Sequence, residues 1–375
     1  MVVLCNVTAN ASNASTSEIE RNILTTSIFG FLSLTSLFGN GLLAVTFAKT
    51  ASLRTPFNIY LFSLVLCNLA YLFNVAPLQI FFALYREPGQ RWSYGEGICT
   101  WRVAGGYLCQ GGTLGHHQLI ALTRMWAVLF PNSYRLHHSQ RTAWICVAAM
   151  WGYVMACTVP FVVLDTMYYR QPTLFGRCNS NVGAQPKYAI FILCTSILAV
   201  VSMWIAMCLV LHTKKQRRRF RIKFSLYPMK VFPTSTPTTK ASPPQIPAPE
   251  THTQTTRPSN CIDYGTVLLT LVTLEVTICW TPFFLRSILA AFIPKISLHT
   301  AFQHYDFFRV FLYTCEPTLD PILLYLSSPL LREAVKHLLQ RRPRLLTQNP
   351  RGELLGHCVR CQCIRPQPGL QGSWF

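Results

Sequence analysis

The sequence predicts an all-α integral membrane protein: a seven-transmembrane helix bundle followed by a short amphipathic eighth helix. Three observations predict it. Of the 375 residues, 51% are hydrophobic and only 12% charged, roughly half the charge of a soluble domain, which sets aside an ordinary soluble globular class. Seven segments approach the ~20 apolar residues needed to cross a bilayer. The basic excess, 33 Lys and Arg against 13 Asp and Glu for a net +20, gathers on one side of those segments. In a soluble chain such a charge suggests nucleic acid; its placement here removes that need, and no nucleic-acid partner is expected.

Residues 1–22 are expected to be an extracellular, glycosylated N-terminus. Met1–Cys5 is apolar but too short for the core of a signal peptide. Three glycosylation sequons, beginning at Asn6, Asn10 and Asn13, crowd this stretch and recur nowhere else in the chain. Such sites are modified on the lumenal side, so they favour an outside N-terminus. The receiving bundle, residues 23–340, contains the spans Ile23–Phe47, Phe57–Leu84, Gly97–Phe130, Thr142–Leu164, Lys187–Leu211, Tyr264–Ile293 and Thr300–Leu326. The third is rich in glycine and polar residues, and the seventh carries Asp306, Arg309, Glu316 and Asp320. Polar groups in a span face the bundle interior or a wet cavity, so these two should be the most enclosed helices. No internal repeat relates the spans, which weighs against a transporter.

With the N-terminus outside, 23 of the 33 basic residues fall on the cytoplasmic side, as the positive-inside rule requires. The long loop 212–262 begins with a basic extension of the fifth helix, Lys214–Lys223. That stretch suits anionic membrane lipid, at about 1 kcal/mol per basic residue near the surface, or a cytoplasmic partner. Pro233–Ser259 is Pro-, Thr- and Ser-rich and is expected to be disordered. Pro329–Leu339, within 328–340, has leucines on one face and cations on the other, the pattern of an interfacial helix. The tail 341–375 holds Cys358, Cys361 and Cys363 beside His357. Clustered thiols there suit S-palmitoylation; unmodified thiols are the plain alternative, and a zinc site would want a second ligand pair. Of the cysteines on the outside, Cys99 and Cys178 are placed to bridge a loop over the bundle mouth, leaving Cys5 odd.

Short motifs recur in order along these spans: Gly39-Asn40; Ser63 to Asn68-Leu; Trp92 and Gly95 ahead of Cys99; Thr123-Arg124-Met125 followed by Pro131; Trp151 and Pro160; Cys279-Trp280-Thr281-Pro282; and Asp320-Pro321. Together they resemble the rhodopsin-like (class A) G-protein-coupled receptors, from Ile23 to about Leu339. The resemblance implies an outer ligand pocket, and a crevice inside for heterotrimeric G proteins and arrestin, at the plasma membrane. Proline physics fits that role: Pro282 removes a helix hydrogen bond and kinks the sixth helix, offering a pivot. Trp280 lies within a turn of it, and Arg124 is a permanent cation able to change partners. A static kink and a topology-setting charge are the plain structural readings.

The departures from the family pattern are informative. Asn68 replaces the usual carboxylate while Asp320 supplies one from the seventh helix, with Glu316 nearby. With Asn40 and Thr113 these residues can hold a sodium ion, share a proton, or pack as hydrogen-bonded polars. Thr123 lacks the acid that restrains the neighbouring arginine, Leu324 stands at the expected tyrosine with Tyr325 one residue late, and Val276 replaces a common phenylalanine. Weakened restraints imply high ligand-independent signalling or atypical coupling. His116 and His117 lie mid-span, as a hydrogen-bonded core pair or with one reaching Glu275 or the polar centre as a pH sensor.

Gly106 stands where amine receptors carry an aspartate, and Thr314 where opsins carry the retinal lysine. The expected pocket instead holds Arg102, Arg286 and Arg309 with Tyr107, Phe283 and Tyr313, which suits an anionic, partly apolar ligand. Glu96, Asp165 or Asp306 can alternatively pair with those arginines. The ligand, small molecule or peptide, stays open. No cofactor is called for, and no HExxH, GxSxG or phosphate-binding loop marks an enzyme. Two other readings stand: a receptor-shaped scaffold acting through heteromers, and a proton or solute transporter using Asp320, Glu316 and His117 as a relay.

Overall fold

The computed structural model describes residues 2–84, 94–170, 178, 180–181, 184–225, 264–292 and 300–340. Helix follows helix: α1 (Val2–Lys49), α2 (Pro56–Asn74), α3 (Ala76–Leu84), α4 (Gly95–Leu129), α5 (Pro131–His137), α6 (Gln140–Leu164), α7 (Pro186–Ser225), α8 (Tyr264–Phe292), α9 (Thr300–Ser327) and α10 (Pro329–Leu339). Side-chain caps set several starts. The Thr55 hydroxyl accepts from Asn58 N–H, Ser139 from Thr142 N–H, and Ser328 from Leu331 N–H; Pro56, Pro131 and Pro329 follow as first helical residues, where a missing N–H is harmless.

The second span differs from expectation. Phe57–Leu84 is not one helix but two, α2 and α3, parted at Val75. Pro77 explains the break, because it has no N–H to offer the carbonyl four residues back. The fifth span is longer than its apolar part: α7 continues through the basic Lys214–Lys223 to Ser225, as its sequence suggested.

Five described helices are long and apolar enough to cross a membrane, within Asn22–Lys49, Pro56–Asn74, Gln140–Tyr169, Pro186–Phe220 and Tyr264–Leu289. The other two long helices, α4 and α9, are those the sequence marked as polar. α4 lies at the centre, packed on α2, α6, α7 and α8, while α1 closes the bundle against α2 and α9. The surface is inverted relative to a soluble protein: Phe31, Leu34 and Phe38 of α1 are 68–73% exposed, whereas Asn40, Asn68, His116, His117 and Asp320 are at most 1% exposed. Apolar side chains facing outward and hydrogen-bonded polar ones inward is the arrangement lipid demands. α10 buries Leu331, Ala334 and Val335, and Arg332 donates to the Leu326 carbonyl that ends α9, at 2.5 Å.

The side chains of Cys5, Asn6, Asn10, Asn13 and Asp306, most of the loop 212–262, and Cys358, Cys361 and Cys363 lie outside the described residues. Glycine decides one packing contact outright. A Cβ on Gly39 would sit 2.8 Å from Cγ of Pro321, so α1 meets α9 only because that residue has no side chain. Gly39→Ala is expected to lower stability by about 1–3 kcal/mol through overpacking. Gly30→Ala, whose new methyl meets nothing within 4 Å, serves as control, with both read by thermal unfolding of purified protein.

Candidate functional site

The site is built on two prolines of α9. Pro321 has no N–H, so the Pro317 carbonyl is left without its helical donor. α1 satisfies it: Ser36 Oγ donates at 2.8 Å and Asn40 Nδ2 at 2.7 Å. One turn on, Asp320 accepts from Asn68 Nδ2 of α2 at 2.7 Å and pairs with His117 Nε2 of α4 at 2.8 Å. Asn68 also donates to Asn40 Oδ1 at 3.3 Å. A buried carboxylate is costly unless hydrogen-bonded, and here both oxygens take donors, one from each of two helices.

His117 has a second acid on its other side, with Nδ1 at 3.4 Å from Glu316 Oε1. That oxygen also accepts from Trp280 Nε1 of α8 at 3.0 Å. Four helices are thus joined through α9 in one polar network. Glu275 of α8 completes the group: its oxygen, a ring nitrogen of His117 and an Asp320 oxygen lie within 4.8 Å of one another. Neither Glu275 oxygen has a hydrogen-bond partner among the described residues. His116, by contrast, is a satisfied core residue, with Nδ1 on the Gly112 carbonyl and Nε2 on Ser63 Oγ, each at 2.7 Å.

Trp280 carries the network toward one end of the bundle. Its ring meets Phe283, Phe284 and Tyr313 with centroids 5.7, 5.9 and 5.8 Å away, and Tyr313 meets Tyr71 edge-on at 6.0 Å. Above them the Cys99–Cys178 disulfide ties the loop to the start of α4. Arg102 Nη1 donates to the Cys178 carbonyl at 2.7 Å, and Tyr107 hydroxyl pairs with Ser180 Oγ at 3.0 Å. Arg309 stands 5.6 Å from the Phe283 ring centroid. Arg286 sits half-buried on α8 nearby.

At the opposite end, Arg124 lies 3.4 Å over the Phe57 ring, a cation–π contact, and makes no ion pair among the described residues. The Thr123 hydroxyl is turned back on Leu119 carbonyl at 2.7 Å. Beside them Tyr134 and His138 stack at 4.3 Å, and Tyr60 hydroxyl lies 3.2 Å from His138 Nε2. Burial, then the Arg124 charge, holds the His138 imidazole below its ordinary range, so the neutral ring favours this stack and acidification opposes it.

Comparison with known proteins settles the class. The family model described as 7 transmembrane receptor (rhodopsin family) matches residues 39–324. The chain belongs to that family. Among similar proteins are 5-hydroxytryptamine receptor 1A-beta of Takifugu rubripes, 26% identical over 58% of this chain and 51% of its own length, and 5-hydroxytryptamine receptor 1A-alpha of the same fish, 29% identical over 38% and 33%. Tyramine receptor tyra-2 of Caenorhabditis elegans is 28% identical over 34% and 27%. The chain thus spans a quarter to a half of the length of these curated relatives.

Within this receptor the structure regroups the residues singled out from sequence. Asn40, Asn68 and Asp320 come together and Glu316 joins them through His117. Thr113 instead lies 3.6 Å from Cys67 Sγ. A sodium ion at Asp320 would have to displace a donor already present, His117 or Asn68. Cys279 and Trp280 are buried, and Tyr325 packs on the core. Asp165 does not pair with Arg102, Arg286 or Arg309 in ion pairs among the described residues; it binds Arg170 at 2.7 Å, a partner five residues ahead on a π-helical turn. Phe57 under Arg124 left no signal in the sequence, because an aromatic at a helix start reads as core. Removing one member of a buried pair leaves the other charge unmet, at about 3–5 kcal/mol. Asp320→Asn is therefore expected to destabilise the receptor by that order, and pairing it with His117→Asn to recover part of the loss in thermal unfolding.

Proposed function

We propose that this chain is a G-protein-coupled receptor of high basal activity, with its N-terminus outside the plasma membrane and its C-terminus in the cytoplasm. The observation that carries the reading is the polar network joining Trp280 to Asp320 above a cationic Arg124 that, among the described residues, rests on a ring and makes no ion pair. Ligand position at the mouth reaches α8 through Trp280, Pro282 gives α8 its pivot, and outward movement of α8 opens the crevice beside Arg124. A ring is a weaker restraint than a desolvated carboxylate, so the open state is more populated without ligand. The sequons and the basic residues support the orientation. Anionic lipid meets the basic extension of α7, and arrestin shares the crevice.

Nucleotide exchange on purified G proteins by receptor-containing vesicles tests this. Exchange above empty vesicles is expected without ligand, falling to background in Arg124→Ala. Phe57→Leu is expected to raise it roughly 2- to 5-fold, the equivalent of losing about 0.5–1 kcal/mol of cation–π contact. Background exchange across the main G-protein classes overturns the reading.

We further propose an anionic, partly apolar ligand. The relatives are named for 5-hydroxytryptamine and tyramine, which are cations. Here Gly106 supplies no carboxylate, and a Cβ there would meet nothing within 4 Å, while Arg309 stands over the Phe283 ring and Arg286 follows within a turn of Phe283 on α8, half-buried. Once an anionic agonist is in hand, Arg286→Ala and Arg309→Ala are expected to weaken its potency at least tenfold each, the scale of one charge-assisted hydrogen bond at about 1.5–3 kcal/mol. Unchanged potency in both removes the assignment.

A further inference from the structure

We propose that His117, Glu275 and Asp320 form a binding site for a divalent transition-metal ion of the zinc class, joining α4, α8 and α9. The three offer one imidazole nitrogen and two carboxylate oxygens within 4.8 Å of one another. Ligand atoms around a tetrahedral ion stand about 3.4 Å apart, so the set closes on an ion with small side-chain adjustments. His117 Nε2 and Asp320 Oδ1, now 2.8 Å apart across a hydrogen bond, must open by roughly 0.6 Å to reach that spacing. The ion takes the place of the bridging proton, which leaves to solvent.

Glu275 carries the argument beyond a mere cluster of acids. It is 5% exposed, sits in the middle of a spanning helix, and points into the group with neither oxygen bonded among the described residues. A carboxylate so placed needs a cation or a proton. Glu316 brings a third carboxylate with its Oε2 likewise unbonded and 1% residue exposure; it lies on the Nδ1 side of His117 at 3.4 Å, adding negative charge beside the three ligands and leaving the fourth position to a water. One imidazolium leaves three carboxylates two charges short, whereas a dication bound to the neutral imidazole leaves them one short. The imidazole selects the metal, because calcium and magnesium favour all-oxygen shells whereas zinc takes nitrogen and oxygen together. An outer shell already orients the ligands: Asn68 Nδ2 holds Asp320 Oδ2 at 2.7 Å and Trp280 Nε1 holds Glu316 Oε1 at 3.0 Å.

Glu275 lies on α8 below Trp280, so a bound ion ties that helix to α4 and α9. On the reading that α8 moves outward in signalling, the metal lowers basal exchange; this consequence rests on the proposed function, whereas the site itself does not.

The test uses full-length receptor in detergent, stripped with chelator and equilibrated in zinc-buffered solution, with bound metal counted by mass spectrometry. The tail holds further thiols at Cys358, Cys361 and Cys363, so the decisive quantity is a difference: Glu275→Gln and His117→Gln are each expected to hold one zinc fewer per chain than the wild type. Zinc at about a hundredfold excess over Kd should raise the wild-type melting temperature by roughly 5 °C or more and leave both variants unmoved, with magnesium and calcium giving no shift. Should a variant fail to fold, cobalt in the wild type replaces it: visible absorption of nitrogen–oxygen coordination supports the site, and thiolate bands alone overturn it. Equal zinc content and equal thermal shifts in wild type and variants also overturn it. Zinc binding with unchanged nucleotide exchange supports the site and removes only its link to α8.

Discussion

One buried carboxylate organises this bundle. Asp320 lies inside the bundle at 1% exposure, where burying an acid is costly unless its oxygens take donors. Those donors come from α2 and α4, and the carbonyl made available by the neighbouring Pro321 draws in α1. The demand of a single charge thereby fixes the mutual position of four helices. Gly39 belongs to the same constraint, since α1 can reach that carbonyl only by lying against the ring of Pro321. Apolar contacts alone leave helices in lipid free to slide, because the lipid tails offer the same contacts.

The network also explains why the two ends of the bundle are held so differently. At the disulfide end the loop is pinned covalently at Cys178, by Arg102 on its carbonyl, and by Arg170 spanning Asp165 and Thr100. At the other end, Arg124 lies on a phenylalanine face and its neighbours are rings: Trp126, Tyr134 and His138. Stacked rings slide at little cost, whereas a desolvated ion pair separates abruptly. Among the described residues, one end is thus held by covalent and charged contacts and the Arg124 end by ring contacts.

Much of this was legible in the chain. Apolar length and charge placement gave the spans, and proline and glycine marked where helices kink or touch. The weak hydropathy of Gly97–Phe130 marked a helix that packs on four others, α2, α6, α7 and α8, for polar residues in lipid must turn inward. The Cys99–Cys178 pairing followed from topology and is present. Besides Phe57 under Arg124, three things were not legible. The break at Val75 hides inside an unbroken apolar run, visible only as Pro77. Thr113 is drawn to Cys67 rather than to Asp320, a choice made by helix rotation that periodicity does not fix. Asp165 finds Arg170 through a π-helical turn, whose five-residue spacing no α-helical pattern suggests.

Helix α8 is the element this arrangement leaves least settled, and its sequence says why. Near Trp280 it is well tied: Trp280 reaches Glu316 and Trp204 reaches Thr277 at 2.9 Å. Lower down, Glu275 faces Asp320 and His117 with ligand atoms within 4.8 Å. Two like charges at that separation repel by about 3 kcal/mol at the effective dielectric of protein sites. With a cation or proton between them the term changes sign and α8 is drawn inward; without one, α8 is pushed from α9 below its proline pivot. Pro282 makes that motion cheap by removing a backbone bond at the bend. The same three residues that would hold an ion therefore bear on where α8 rests, just below the point where Trp280 ties it to α9.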